Sequence, residues 1–432
     1  MVFGISIGST TLSNAVVASG RAQLVANADG HHRPRAVVAK VENEFCVGTA
    51  ALSARNTPLF KNILKEFIQN GPTHMIQCQG KDLRVDVCLA ALIRECIATC
   101  RNFNTSAENV SLVIPDEFSE EQEKQFVKIF ETVSEMKVNR AIRRSAAALV
   151  AARQNGSLEE QEIQKGSKNV LVVRIGGLTT TGTLYRETNG LLTKLKQSHN
   201  QSGADVIVKH LTDYLVREAN RKFRCDLSES KKSMNKVEQE ARRAIEVLSN
   251  KDSVNVQIDS CFEGMDFQMV VNRSRVTATA PYKPVLEGIF SDFEGETVDE
   301  VLMCGGAAKS PPFQKIVQGK YQNVIALPNA EELIPLGAAI QCHITSSGNK
   351  LSINEIPRKI ALSSFSLRNG SETVIEKGTP LPFSFTTNSE SSFTIPELGE
   401  DVIFSSDGHV TGNLNEKGLF FTSGEKSFEL LF

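Results

Sequence analysis

Apolar positions along the first 345 residues alternate between the period of strands and the period of helices. Runs such as "MVFGISI" and "NVLVVRI" follow the strand pattern and end at glycine turns. Between them, "SEEQEKQFVKIFETV" begins at Ser119 and carries Gln122 three residues later, which is the pattern of a helix capping box. The stretch "GADVIVKHLTDYLVREANRKF" repeats apolar residues at helical spacing. Alternating strands and helices predict an α/β domain over residues 1–345.

The pattern changes after this domain. The stretch "TSSGNKLSINEIPRK" is polar and contains Gly348 and Pro357, which predicts a linker over residues 346–358. From Lys359 to Phe432, short β-like runs are divided by Gly, Asn and Pro, and no helical pattern follows them. Residues 359–432 are therefore predicted to form a small all-β module, about half the size of a typical domain.

Charge and hydropathy narrow the class of protein. The formal net charge is −2, so no globally basic surface is expected and direct DNA binding is not predicted. No apolar run approaches the ~18 residues of a membrane span, and the N-terminus lacks the charged-then-apolar pattern of a signal peptide. These features predict a cytosolic protein without membrane association.

The nine cysteines are scattered, and none forms a CxxC pair. Cys96 and Cys100 lie four residues apart on a helical pattern, so they could share a metal or fill a buried apolar stripe. The second interpretation is favoured because small apolar residues surround them at helical spacing. Unpaired spacing also favours a reducing compartment, in agreement with the cytosol.

Three glycine turns carry the candidate chemistry. Glycine lets backbone approach a ligand, and hydroxyl and amide groups can donate hydrogen bonds to phosphate oxygens. Two strand–turn–strand copies far apart in the chain predict a duplicated fold with a ligand cleft between its halves. The turns contribute the candidate binding residues Gly8, Ser9, Thr10, Gly176, Gly177, Thr179, Gly305 and Gly306.

In this order, the stretches resemble the motifs of the heat shock protein 70 (DnaK-type) family. "GISIGSTTLSNAVV" and "NVLVVRIGGLTTTG" are similar to its two phosphate motifs, "VLMCGGAAKSPPFQKIV" to its adenosine motif, and "NAEELIPLGAAIQ" to its closing helix. The resemblance covers residues 1 to about 345 and implies an actin-like, two-lobed ATPase domain. It also implies that the β module is a truncated substrate-binding-like domain without the helical lid.

The catalytic positions depart from the family pattern. The resemblance places family acids at Ser6, Arg143, Arg174 and Thr181, where this chain has no carboxylate. Phosphoryl transfer needs magnesium and a group that positions the attacking water. The substitutions therefore predict a degenerate ATPase site, with no catalytic residues, no protein ligands for a metal and no well-ordered magnesium.

Nucleotide binding is a separate expectation. The resemblance aligns Lys61, across a one-residue gap, with the family's catalytic lysine, and it aligns Arg242 and Arg243 with basic residues that stack on adenine. One hypothesis is that ATP binds weakly or without metal, with Arg143 and Arg174 replacing magnesium at the phosphates. The alternative is that these arginines pair with neighbouring acids across a collapsed cleft, which then serves only as scaffold.

A shortened β domain, a degraded site and a linker without consecutive leucines are similar to one atypical branch of the family. That branch is ribosome-associated and pairs with a zuotin-type J-domain protein. The resemblance implies a non-catalytic co-chaperone that assists nascent polypeptides as a subunit of a ribosome-associated complex. The main alternative is a slow ATP-dependent chaperone that binds unfolded polypeptides. A nucleotide-exchange role is disfavoured because a long acidic insertion and a helical C-terminus are absent, and a plain structural module is the least specific alternative.

Overall fold

The computed structural model describes residues 3–54, 57–104, 109–154, 167–188, 191–346, 367–369, 372–375, 379, 383–387, 391–394, 405–406, 409–415, 418–423 and 426–431. The chain divides into two compact units. The first unit contains Met1–Leu158, Leu171–Thr183 and Gln197–Ser346, and the second contains Glu159–Val170, Leu184–Lys196 and Ser347–Phe432. The predicted linker, residues 346–358, lies outside the described residues except for its first residue.

Strands and helices alternate up to Ser346, which confirms the predicted mixed α/β class. The strands are β1 (Phe3–Ile7), β2 (Leu12–Ala18), β3 (Arg21–Val25), β4 (Val38–Val41), β5 (Glu44–Val47), β6 (Leu59–Phe60), β7 (Met75–Cys78), β8 (Lys81–Arg84), β9 (Asn109–Ile114), β10 (Lys137–Arg143), β11 (Ser167–Ile175), β12 (Thr180–Thr188), β13 (Leu191–Asn200), β14 (Ser253–Phe262), β15 (Met265–Asn272), β16 (Glu300–Cys304) and β17 (Val324–Ala326).

The described residues contain eleven α-helices and one short 3-10 helix, Leu227–Glu229. None of these helices is long and apolar enough to cross a bilayer. The α-helices are α1 (Thr49–Ser53), α2 (Ile63–Asn70), α3 (Val85–Phe103), α4 (Glu120–Ser134), α5 (Arg144–Gln154), α6 (Asp205–Phe223), α7 (Lys231–Leu248), α8 (Arg273–Thr279), α9 (Tyr282–Asp292), α10 (Pro311–Lys320) and α11 (Leu333–Ser346).

Two five-stranded sheets repeat one design. The first has the order β10-β9-β1-β2-β3, and the second has the order β13-β12-β11-β16-β17. In each sheet, the strand that comes first in the chain lies in the centre. The next two strands of the chain lie on one side of it, and the two later strands lie on the other side. In the first sheet, β1 pairs antiparallel with β2 and parallel with β9. The matching order supports the duplication that the two glycine turns predicted.

Local sequence signals explain several helix boundaries. Helix α4 begins at Ser119 as predicted, because the Ser119 side chain accepts a hydrogen bond from the Gln122 backbone N–H while the Gln122 side chain accepts one from the Ser119 N–H. Helix α6 buries Leu211, Leu215 and Ala219 on one face, in agreement with the apolar spacing.

A large apolar core forms where α3 packs against the first sheet. Cys96 and Cys100 lie in this core among Phe3, Ile5 and Leu92. The side-chain amide of Asn14 donates to the Cys96 carbonyl at 2.6 Å and to the Cys100 Sγ at 3.4 Å. Burial raises the pKa of the Cys100 thiol to about 12, so the thiol stays protonated.

Helices α5 and α11 cross at an unusually short distance, which small residues permit. The α5 segment Ser145–Ala148 is completely buried, and so are Ala338 and Ala339 of α11. A Cβ on Gly337 would lie 2.6 Å from the carbonyl carbon of Ala147, and closer still to the oxygen. Gly4 of β1 is equally constrained, because its Cβ would lie 2.6 Å from the Pro335 carbonyl oxygen.

The described C-terminal residues form two four-stranded sheets, with the orders β19-β18-β21-β22 and β20-β23-β24-β25. Their core contains Phe393, Val410, Leu414 and Phe421, with Phe385 packed against it. The strands are β18 (Leu367–Asn369), β19 (Glu372–Ile375), β20 (Phe383–Thr387), β21 (Ser391–Thr394), β22 (Ser405–Ser406), β23 (Val410–Asn415), β24 (Gly418–Ser423) and β25 (Lys426–Leu431).

Candidate nucleotide-type cleft

The first two glycine turns come together in the first unit. Each is closed by one backbone hydrogen bond, in which the Gly8 N–H donates to Thr11 at 2.9 Å and the Gly176 N–H donates to Thr179 at 3.0 Å. The side chain of Thr10 lies against Gly177, where an added Cβ would approach the Thr10 Cγ2 to 2.5 Å. Although the turns are far apart in the chain, they contact each other directly.

Two adjoining cavities lie around these turns. The larger has a volume of about 310 Å³, at the low end of ligand pockets, and the smaller has a volume of about 90 Å³. Both are lined by Thr10, Arg33, Gly176, Gly177 and Gly306. Among the other predicted site residues, the smaller cavity is lined by Ser6, Gly8, Ser9, Arg174 and Thr179, and the larger by Arg242.

Arg174 is buried at the end of β11 and uses its guanidinium inside the protein. Its Nη2 donates to Thr179 Oγ1 at 2.7 Å, and its Nε donates to Thr181 Oγ1 at 3.3 Å. Two carboxylates neutralise its charge, Asp116 at 4.0 Å and Glu117 at 3.9 Å. Arg174 therefore joins the second glycine turn to acids that follow β9.

The second buried cation is Arg144, whereas the sequence comparison pointed to Arg143. Arg144 has a side-chain exposure of 3%, donates to the Ile7 carbonyl at 3.0 Å and lies 3.7 Å from Glu117. Burial, followed by repulsion from Arg174, lowers the pKa of Arg144 to about 10, although Glu117 and Asp116 oppose the shift. Arg143 points elsewhere, since it donates to the Pro115 and Phe118 carbonyls and pairs with the half-exposed Glu123.

Asp116 and Glu117 are site residues that the sequence reasoning missed. Asp116 accepts hydrogen bonds from the backbone N–H of Ser145 at 3.0 Å and from its hydroxyl at 2.5 Å. The Thr181 hydroxyl also donates to Asp116, at 3.4 Å. A usable signal was present in "VSLVIPDEF", where two acids directly follow an apolar strand.

Together, Arg144, Arg174, Asp116 and Glu117 form a buried ion network, and this name is used for them below. Two acids therefore lie beside the second glycine turn, and each faces an arginine. One interpretation of the sequence was that Arg143 and Arg174 pair with neighbouring acids. In the structure, Arg143 pairs with Glu123, and Arg174 lies near Asp116 and Glu117. In the described residues, no three His, Cys, Asp or Glu side chains gather as metal ligands would.

The remaining predicted residues divide between the cavity and the surface. Arg242 lines the larger cavity and forms a bidentate pair with Asp205 at 2.7 and 3.1 Å. Gly305 has a φ of +94° and packs so tightly on Ile175 that an added Cβ would lie 2.6 Å from the Ile175 carbonyl oxygen. Lys61 instead pairs with Glu238 at 3.1 Å, and Arg243 pairs with Glu240 on the exposed side of α7.

The buried ion network predicts a specific dependence of stability on pH. Burial alone would raise the pKa of Glu117, but Arg174 and Arg144 outweigh it and hold the pKa below the ordinary value of 4.5. A depressed folded-state pKa stabilises the protein above pH 4.5, and this contribution is lost as the pH falls through the folded-state pKa.

We therefore expect the stability difference between the native protein and Glu117→Gln to shrink on acidification below pH 4.5. The free energy of unfolding in urea, measured for both proteins from pH 7 to pH ~3, tests this linkage. A difference that stays constant over the whole range would show that Glu117 does not titrate with a depressed pKa.

The fold and the candidate site define a duplicated α/β protein whose first two glycine turns meet beside two adjoining cavities. The model of the Hsp70 protein family matches residues 65–394, well over half of the chain. The chain belongs to the Hsp70 family, and its α/β fold is consistent with the ATPase domain of that family.

Several curated relatives are similar over most of their length. "Heat shock 70 kDa protein 14" of Xenopus tropicalis is 26% identical over 428 residues, covering 88% of this chain and 83% of that protein. The Danio rerio protein of the same name is 27% identical over 428 residues, with the same coverage. The Homo sapiens protein is 26% identical over 391 residues, covering 82% of this chain and 75% of its own length.

Proposed function

We propose that this chain is a non-catalytic Hsp70-type co-chaperone that binds a nucleotide without hydrolysing it. The observation that carries the proposal is the buried ion network. Arg174 stands where the family supplies an acid, and both nearby carboxylates are engaged by arginines. A site built in this way keeps the shape of a nucleotide cleft, but the two acids beside its second glycine turn are not free for metal-assisted chemistry.

The electrostatics explain why turnover is not expected. Magnesium prefers oxygen ligands in near-octahedral geometry, and the side chains of Asp116 and Glu117 are only 1% and 3% exposed. Either acid would have to leave its arginine to bind the metal, and a buried charge without its partner is strongly destabilising. Loss of one positioned catalytic group already costs about two to four decades of rate.

We further propose that the chain acts in the cytosol as a subunit of a ribosome-associated complex. Its partners would be a zuotin-type J-domain protein, the ribosome and nascent polypeptides. The resemblance to the atypical ribosome-associated branch supports this, as does the small β module after Ser346, which we propose is a substrate-binding-like domain. Similarity to proteins named "Heat shock 70 kDa protein 14" is compatible with such a role.

One observation favours the alternative of a slow ATP-dependent chaperone. Asp116 and Glu117 place two carboxylates beside the second phosphate-type turn, so the cleft has acids that could act if their arginines moved. In that case, Asp116 would be the first candidate to orient water, because it lies within hydrogen-bonding reach of Thr181.

A single-turnover assay separates the two functions. With protein in excess over labelled ATP, we expect no hydrolysis above the protein-free control, with magnesium or with EDTA, because arginines hold both carboxylates beside the second glycine turn. Hydrolysis that Asp116→Asn abolishes would contradict the proposal and support the slow chaperone. Turnover that persists in Asp116→Asn would point instead to a contaminating ATPase.

The proposed complex is tested separately with the full-length chain. We expect it to elute as one complex with a zuotin-type J-domain protein in size-exclusion chromatography, and this complex should sediment with ribosomes. An unrelated J-domain protein serves as the control. Separate elution of the two proteins would contradict the co-chaperone part of the proposal, whatever the result of the ATPase assay.

A further inference from the structure

The larger cavity has an excess of positive charge. Its lining contains four cationic side chains, Arg33, Arg35, Arg242 and Lys309, and two carboxylates, Asp205 and Glu246. Arg242 is neutralised by its bidentate pair with Asp205, and Lys309 pairs closely with Glu331. Arg33 and Arg35 have no comparable partners.

Both arginines are poorly satisfied. The Nε of Arg33 is buried and has no hydrogen-bond partner, and the nearest acid, Glu331, is 3.9 Å from its Nη1 and already engaged by Lys309. Arg35 has no ion pair within 4 Å among the described residues, and burial, followed by repulsion from Arg242, lowers its pKa. Arg33 has a buried Nε without a partner on a side chain that is 30% exposed, and Arg35 is partly buried. Both therefore present cationic donors at the cavity that are suited to an anion.

The backbone fixes the position of these arginines. They lie in the segment "HHRPRA", which is bound to the first glycine turn on both sides of Arg35. The Leu12 N–H donates to the Pro34 carbonyl at 2.8 Å, and the Ala36 N–H donates to the Thr10 carbonyl at 2.9 Å. The segment is therefore held beside the cavity before any ligand arrives, which reduces the entropic cost of binding.

The space between the two glycine turns is much smaller than the space beside Arg33 and Arg35. Thr10 lies against Gly177, and the guanidinium of Arg174 lies directly beside Gly176. Only about 90 Å³ remains at this end, compared with about 310 Å³ in the larger cavity. The larger cavity also has an apolar wall with Ile207, Ile245 and Phe313, which suits the ring of a base.

We propose that the larger cavity binds a nucleoside carrying one or two phosphates, and that Arg33 and Arg35 hold the phosphate group directly. A third phosphate adds no binding affinity in this site, since it would have to enter the narrow space between the two glycine turns. Guanidiniums bind phosphate oxygens in bidentate geometry, and magnesium would compete for the same oxygens. This inference rests on the nucleotide-binding part of the proposed function.

Calorimetry on the full-length chain tests the inference with adenosine, AMP, ADP, ATP and inorganic phosphate, each with magnesium and with EDTA. We expect ADP or AMP to bind at least as tightly as ATP, and magnesium to give no gain in affinity. The double variant Arg33→Gln with Arg35→Gln should weaken ADP binding about 10-fold or more, because charged hydrogen bonds are lost. Its affinity for adenosine should stay within about twofold, which also shows that the variant is folded.

The matched control replaces two exposed arginines, Arg94 on α3 and Arg221 on α6, by glutamine. It removes the same formal charge from the chain and should leave ADP affinity unchanged. Equal ADP binding by the two double variants would overturn the phosphate-holding role. Magnesium–ATP bound tenfold more tightly than ADP would place the phosphates between the turns, and inorganic phosphate bound as tightly as ADP would remove the nucleoside from the proposal.

Calorimetry and size-exclusion chromatography together separate failure of this inference from failure of the proposed co-chaperone function. If no nucleotide binds under any condition, this inference fails, while complex formation with the J-domain protein can still be observed. If nucleotides bind as expected but the J-domain protein elutes separately, the cavity proposal stands and the co-chaperone role fails.

Discussion

Replacing Glu117 by glutamine is expected to lower the free energy of unfolding by about 3–5 kcal/mol. The substitution preserves the size of the side chain but removes the charge that faces Arg144 at 3.7 Å and Arg174 at 3.9 Å. Both guanidiniums are nearly inaccessible to water, so solvent cannot replace the lost carboxylate. Equilibrium unfolding in urea at neutral pH measures the effect.

The neighbouring pair of Arg143 and Glu123 provides a matched control. It also joins an arginine to a glutamate, but its side chains are 24% and 29% exposed. Because exposed pairs contribute little, Glu123→Gln should cost about 1 kcal/mol or less. Adding Arg144→Met to Glu117→Gln should recover part of the loss by removing one stranded cation. Equal effects of the two glutamate substitutions would show that burial of the network does not matter.

Replacing Gly337 by alanine is expected to cost about 3 kcal/mol or more, or to prevent folding. The added methyl group would overlap the Ala147 carbonyl where α11 crosses α5. Neither helix can relax at low cost, because Ala146, Ala148, Ala338 and Ala339 pack around the contact and are completely buried. Thermal unfolding of the purified variant, or its loss from the soluble fraction, measures the effect.

A second helical glycine controls for the change in backbone propensity. Gly319 lies in α10, and nothing lies within 4 Å of the Cβ that an alanine would add there. Gly319→Ala should therefore be neutral or stabilise the protein by up to about 1 kcal/mol, since alanine is the better helix former. Equal effects of Gly337→Ala and Gly319→Ala on stability would contradict the close packing of α11 against α5 at Gly337.

The buried ion network explains both the stability and the chemistry of the cleft. Two arginines face two carboxylates, so the charges of the buried ion network balance within the protein. Such a set is costly to break one member at a time, although replacement of a whole set by apolar residues can be neutral. The side chains of the buried ion network are therefore expected to hold the surrounding strands together.

The sequence predicted the site in outline and missed its charge partners. The glycine turns at Gly8 and Gly176 were recognised because their glycine and hydroxyl residues are consecutive in the chain. The sequence could not show in the same way whether Arg143 or Arg144 is the arginine that lies beside the glycine turns. These residues are adjacent at the junction of β10 and α5, so successive side chains point in different directions and only packing decides which one enters the cleft.

By itself, the sequence determined the α/β class, the three glycine turns and the capping box of α4. These features depend on residue type and local spacing, which the chain carries directly. The tertiary structure alone decided that Asp116 would face Thr181, 65 residues away, and that the buried Nε of Arg33 would lack a partner beside a cavity. The energy of a charge pair depends on a separation of a few ångströms between residues that are far apart in the chain. Only the packing of the two sheets and their helices sets these separations.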